Sequence, residues 1–207
     1  MDPCQTADVT IFDEDGVATP TWQINKSVNA PELVVPLYVR DRLGLQTSST
    51  VPALTPSVRA IPSEALNVAA ASTAWESVWA VIAQGGPGSS LPYAPVRFHG
   101  LTEYSELIGP WAWLYEEAEA WEGAKTKIRD RVERARANPM FEQTLIEDLA
   151  VELGRPVKPF LLELEILPVE GTWWQQAYNG RVFLSSQLEA DRDAYTSLLL
   201  DLLKPIA

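Results

Sequence analysis

The sequence has little of what builds metal centres and disulfides: among its 207 residues there is one cysteine, Cys4, and one histidine, His99. A lone cysteine closes no intrachain disulfide, so an oxidising compartment gains no support and a cytoplasmic setting is expected. One imidazole and one thiol cannot complete a zinc cage, and neither HExxH nor CxxC occurs, so neither a metal nor a cofactor is expected. Phosphate-binding glycine patterns (GxxxxGK[ST], GxGxxG) are missing too. So is the GxSxG elbow of a serine hydrolase, because Gly86-Pro87-Gly88-Ser89-Ser90 lacks that spacing.

Positive charge is also scarce. Sixteen Lys plus Arg stand against 28 Asp plus Glu, a formal charge of −12. Phosphate backbones and anionic lipid reward a positive surface, so no nucleic acid and no membrane is expected as partner, and a basic or neutral protein suits better. No long apolar run is present. Residues 65–83 come nearest, but Asn67, Glu76 and several hydroxyls interrupt them, and a buried small-residue helix is expected there. The acidic start, MDPCQTADVT, does not resemble a secretory signal.

What is present suffices for a folded chain: 46% of residues are hydrophobic and 21% charged. Gly, Pro and Ser cluster at 84–95 (QGGPGSSLPYAP) and mark a loop or linker. Residues 1–95 hold 13 charged side chains and residues 96–207 hold 31, so the second part has the solvent faces of amphipathic helices. A boundary at 95 is compatible with two domains, and a single compact domain fits equally well. Residues 46–62, with three prolines and a hydroxyl cluster, predict an extended surface loop.

Local patterns then place the elements. Val9–Phe12 and Val17–Trp22 flank the acidic turn Asp13-Glu14-Asp15-Gly16 and predict a β-hairpin. Pro36 suits the first position of a helix running to Leu45, and Pro62-Ser63-Glu64 opens another that Gly85-Gly86 ends near Gln84. After Gly109-Pro110, Trp111, Leu114, Ala118, Trp121, Ile128, Val132 and Ala135 recur at helical spacing, with glutamates early and Lys and Arg late, as the helix dipole prefers. Asn138-Pro139 caps a helix whose stripe is Phe141, Leu145, Leu149 and Leu153, ending at Gly154. Residues 160–167 alternate as a strand with one wetter face. Thr172–Tyr178 and Arg181–Ser185 flank Asn179-Gly180, a signal for a two-residue type I′ turn. Ser186 and Glu189 have capping-box spacing before a last helix that carries Leu188, Tyr195, Leu198, Leu199 and Leu202 and stops near Pro205. The fold class expected is therefore α+β: mostly helical, with helices packed on a small antiparallel sheet made of the C-terminal three-stranded ββα unit and the N-terminal hairpin.

Candidate chemistry is thin. His99 is the one imidazole available as a base, although a loop histidine held by a neighbour's carbonyl explains it as well. Asp13 and Asp15 fail as a calcium loop, because Ile11 and Trp22 stand where ligands are needed. Glu163 and Glu165, two apart on one strand, share a face and suit an acid–base pair, or else are the charged half of a solvated strand. The six cations at 125–136 split to opposite sides of a helix and make no phosphate-tracking stripe. Tryptophan is the unusual feature, with eight. Trp75, Trp79, Trp111 and Trp121 fall on apolar stripes and read as core, whereas Trp113 falls off its stripe. Trp173 and Trp174, adjacent in a strand, face opposite ways, so one of them is expected to be exposed. The pattern favours a non-enzymatic, adaptor- or inhibitor-like protein that binds a protein partner through an acidic surface and exposed Trp113, Trp173 or Trp174. The alternative is a carboxylate-based hydrolase or lyase with a Trp-lined pocket around Glu163 and Glu165.

Overall fold

The computed structural model describes residues 11–12, 18–19, 22–28, 30–61, 66–84, 107, 109–122, 140–177 and 180–205. The chain is α+β, with helices packed against a four-stranded sheet. The elements in order are β1 (Ile11–Phe12), β2 (Ala18–Thr19), β3 (Gln23–Val28), α1 (Pro31–Leu43), α2 (Val68–Gln84), α3 (residues 109–122), α4 (Phe141–Leu153), β4 (Leu161–Leu167), β5 (Trp174–Gln176), β6 (Arg181–Ser185), α5 (Ser186–Ala190) and α6 (Arg192–Leu203).

The main sheet has the order β3-β4-β6-β5 and is mixed, which corrects the expected antiparallel sheet. β3 and β6 both run parallel to β4, and only β5 is antiparallel to its neighbour β6. Burial explains why β6 rather than β5 lies beside β4. Val182, Phe183 and Leu184 are all fully buried, as a central strand covered on both faces requires, whereas β5 offers Trp174 and two glutamines and suits an edge. The N-terminal strands pair antiparallel, Ile11 with Thr19 and Phe12 with Ala18, but form a separate two-stranded sheet. Trp22 is not part of that hairpin. It stacks on Phe160, centroids 6.3 Å apart, at the start of the β3–β4 pairing.

Alternation along the strands divides the core into two clusters, one on each face. Leu162, Leu164 and Ile166 of β4 with Val182 and Leu184 of β6 pack under α4, α5 and α6, against Leu149, Leu188, Tyr195 and Leu199. Leu167 and Phe183 point the other way, into α1, α2 and α3, where Trp75 and Trp79 stack at 5.5 Å and Trp111 and Leu114 close the cluster. Trp121 completes it edge-on to Tyr38, centroids 5.7 Å apart.

Helix boundaries moved for identifiable reasons. Pro31, not Pro36, occupies the first turn of α1, and Pro36 lies inside the helix, its carbonyl accepting 2.7 Å from the Trp75 indole N–H. α2 begins at Val68 because Asn67 caps it, its side chain accepting from Ala70 N–H at 3.2 Å. Ser185, one residue before the expected cap, accepts from Leu188 N–H at 3.1 Å, and Asp191 interrupts the C-terminal helix and caps α6 through Ala194 N–H at 3.2 Å. Gly154 ends α4 with φ +66°, as expected.

The segment after α1 is less of a surface loop than its composition suggests. Leu54 is fully buried and bridges Val169, and Arg40 donates to the Val51 and Pro52 carbonyls at 2.7 and 2.6 Å. Asp41, bonded to Arg40 at 2.7 Å, accepts from Leu54 N–H at 2.7 Å. A charge pair of buried Arg40 and partly buried Asp41 thus satisfies backbone groups that an irregular segment leaves open.

Several expectations fall outside the described residues: Cys4, the turn at Asp13–Gly16, Pro62–Glu64, the linker at 85–95, His99, the second half of the long helix with its six cations, Asn138-Pro139 and Asn179. Among the described residues, no helix is long and apolar enough to cross a membrane.

Candidate functional site

The two strand carboxylates and the tryptophan pair lie on one sheet but do not converge. Glu163 and Glu165 of β4 share the face turned toward α1–α3. There Asn25 pairs with Glu163 and Ser27 with Glu165 across the parallel ladder. Glu163 is half-buried. Glu165, expected on a wet face, is only 8% exposed, and its Oε1 accepts from Arg181 Nη2 at 2.8 Å and Nε at 3.1 Å. Its Oε2 is buried and has no hydrogen-bond partner among the described residues. That pairing leaves little for acid–base work: one oxygen is held by a guanidinium and the other is closed to solvent.

The tryptophans separate by face. The Gln175–Phe183 pair and the Trp174–Leu184 pair put Trp174 on the α4–α6 side and Trp173 on the α1–α3 side, where it packs against the core. Trp174 is 43% exposed, and Trp113 on α3 is 53% exposed.

The backbone of β5 adds what the side chains alone do not reveal. Ala177 N–H donates to the Arg181 carbonyl at 2.8 Å, and Ser185 N–H donates to the Trp173 carbonyl at 2.8 Å. In an antiparallel pair hydrogen-bonded positions alternate, so residues 173, 175 and 177 bond β6 while the N–H and C=O of Trp174 and Gln176 point away from it. β5 is the last strand in the sheet. Among the described residues nothing pairs with its outer edge, which presents two donors and two acceptors beside an exposed indole.

No protein-family model, curated protein or solved structure matches this chain.

A second polar cluster, not anticipated from sequence, sits at the opposite edge. Lys26 of β3 contacts Glu142 of α4, lies 3.6 Å from Glu189 of α5 and stands 4.9 Å over the ring of Tyr195 of α6. The Tyr195 hydroxyl donates to Glu142 at 3.1 Å. Burial pushes the Tyr195 hydroxyl's pKa up, and the Glu142 charge and hydrogen bond push it further. For Glu142, burial acts upward, but the hydrogen bond and charge of Lys26 outweigh it and hold the carboxyl below its ordinary range. The cluster joins one strand to three helices. The one available signal was the period of two at Trp22, Ile24 and Val28, which places Lys26 on the same face as those apolar residues.

Among the described residues, no three His, Cys, Asp or Glu side chains are grouped to hold a metal ion.

Proposed function

We propose that this is a non-catalytic binding protein, of the adaptor or inhibitor kind, that holds a protein partner through an exposed tryptophan anchor assisted by its acidic surface. One observation carries the reading: Trp174, adjacent to a half-buried tryptophan that packs against the core, stays 43% exposed on an edge strand. Tryptophan is enriched among residues that dominate binding energy, because a rigid indole offers a large contact at small entropic cost. The −12 charge favours a basic partner and speeds encounter with it. The single cysteine suits a reducing, cytoplasmic setting. The competing hydrolase or lyase has less support, since Arg181 occupies one oxygen of Glu165.

The test is capture of a partner with the folded protein, followed by calorimetric titration of that partner once purified. Trp174→Ala should cost about 2 kcal/mol of affinity, the loss typical of a central anchor, with melting unchanged. Unchanged affinity in both Trp174→Ala and Trp113→Ala, with turnover of a small substrate abolished by Glu163→Gln, would replace this reading with the enzymatic one.

A further inference from the structure

We infer that the partner is bound as an added strand: a short, extended, lysine- or arginine-bearing segment pairs with the outer edge of β5, its backbone on Trp174 and Gln176 and one side chain against the Trp174 indole. This rests on the binding reading above and names its mode.

The backbone sets the occupant's conformation. Two residues on β5 turn both their N–H and C=O outward, and an extended chain alongside satisfies all four groups while its alternate side chains fall on either face. Edge strands are usually protected from such pairing by a charge, a proline or a bulge. β5 is Trp174-Gln175-Gln176 and has neither a charge nor a proline, whereas the other edge, β3, carries Lys26. Among the described residues its protection is its shortness, which limits the occupant as well as the edge.

Charge and size choose between occupants. A second copy would bring together two chains of −12 each over a three-residue strand. So short an edge falls well below the roughly 1,000 Å² that a stable association of two folded surfaces needs. A flexible segment has no such requirement, because its side chains add contacts along the surface. Arg181, the cation of the hairpin, is neutralised by Glu165, and Glu170 just before the hairpin is exposed, so the hairpin's own charges do not oppose a basic segment.

The mode is tested with capped octapeptide probes read by fluorescence anisotropy: alternating Lys and Val, alternating Glu and Val, and the Lys/Val peptide N-methylated at every second amide. The Lys/Val peptide should bind at least tenfold tighter than the Glu/Val peptide, and N-methylation along the pairing edge should abolish binding. Gln176→Pro removes an outward N–H that β6 does not use, and should weaken the Lys/Val peptide at least tenfold with melting unchanged. The N-methylated probe gives the same answer on the unaltered protein, should that variant fold poorly. Equal binding of methylated and unmethylated peptides would overturn strand addition. So would a partner that needs Trp174 yet tolerates Gln176→Pro, although the anchor reading would survive that result. Concentration-dependent self-association lost in Gln176→Pro would assign the edge to a second copy and overturn the proposal.

Discussion

At one edge of the sheet, β3 carries Lys26, whose ammonium contacts Glu142 and Glu189 and covers the Tyr195 ring; at the other, β5 carries no charge and turns Trp174 outward. The difference separates two ways of ending a sheet. The β3 edge is tied to the helices behind it by apolar side chains and by the Lys26 cluster, so part of its attachment is electrostatic and sensitive to pH. The β5 edge is held by its hairpin to β6 and, on the inner face, by Trp173 and by the Gln175 side chain, which accepts from Thr50, so among the described residues its outer backbone is left available.

The largest effect expected at either edge comes from the inner tryptophan of β5. Trp173 packs against the cluster of α1–α3, and its N–H and C=O pair with Ser185, at 3.2 Å to the hydroxyl and 2.8 Å from the amide. Trp173→Ala should cost about 3 kcal/mol in urea denaturation, the lower end for removing a large aromatic, because the indole is only half-buried. A loss under 1 kcal/mol would mean that β5 is held by its hairpin alone.

Next in size is the turn. Gly180 has φ +76°, and a Cβ built there would lie 3.0 Å from the Leu161 carbonyl oxygen. Gly180→Val combines that contact with a conformation β-branched residues resist, and should destabilise by about 1 to 2 kcal/mol. If the variant melts with the parent, this backbone conformation does not matter to the hairpin.

The same turn shows how far the sequence could be read. Asn179-Gly180 between alternating segments identifies the hairpin, and positive φ at Gly180 is what that glycine supplies. Loop length was not legible. A two-residue turn pairs residue 178 with 181, but the observed pairs, Gln176 with Val182 and Ala177 with Arg181, leave three residues in the connection. Since strand side chains alternate, that one-residue shift exchanges the faces of Trp173 and Trp174. Which tryptophan is exposed therefore follows from register, which the packing of Phe183 and Leu184 against different clusters decides. β3 escaped notice because four of its six residues, Gln23, Asn25, Lys26 and Ser27, are polar, and a parallel strand is usually apolar throughout. Beyond its place on the apolar face of β3, nothing local marks the role of Lys26, because its partners come from helices far along the chain.

The β3 edge should respond to pH, with an effect of smaller size. The Glu142 carboxyl titrates below its ordinary range in the folded chain. It therefore contributes stability above the unfolded value, about pH 4.3, and that contribution disappears as pH falls through the folded value. Glu142→Gln should cost about 1 kcal/mol at pH 7, a modest figure because Lys26 is one-third exposed, and the gap between variant and parent should close in acid. At the alkaline end the sign reverses. Burial raises the pKa of the Tyr195 hydroxyl, and of Tyr38, which is pushed up to about 12, so stability present below about pH 10 is lost as pH rises beyond it. A variant whose deficit stays constant from pH 7 to 3 would show that Lys26 and Glu142 do not hold β3.

The smallest effect on stability is expected where the largest effect on binding is proposed. Trp174 has Leu184 as its cross-strand neighbour, yet Leu184 is fully buried without needing the indole as its only cover, because β4, α5 and α6 contribute to the same cluster. Truncating Trp174 removes a side chain already 43% exposed and breaks no hydrogen bond of the hairpin, since those run through residues 173, 175 and 177. Trp174→Ala should therefore stay within about 0.5 kcal/mol of the parent in the same urea titration that Trp173→Ala fails by several-fold more. Two adjacent tryptophans with opposite consequences would tie the exposed one to something other than folding. If Trp174→Ala instead destabilised as much as Trp173→Ala, the indole would be a structural cover over the β5 edge, and the contrast between an attached edge and an available one would be lost.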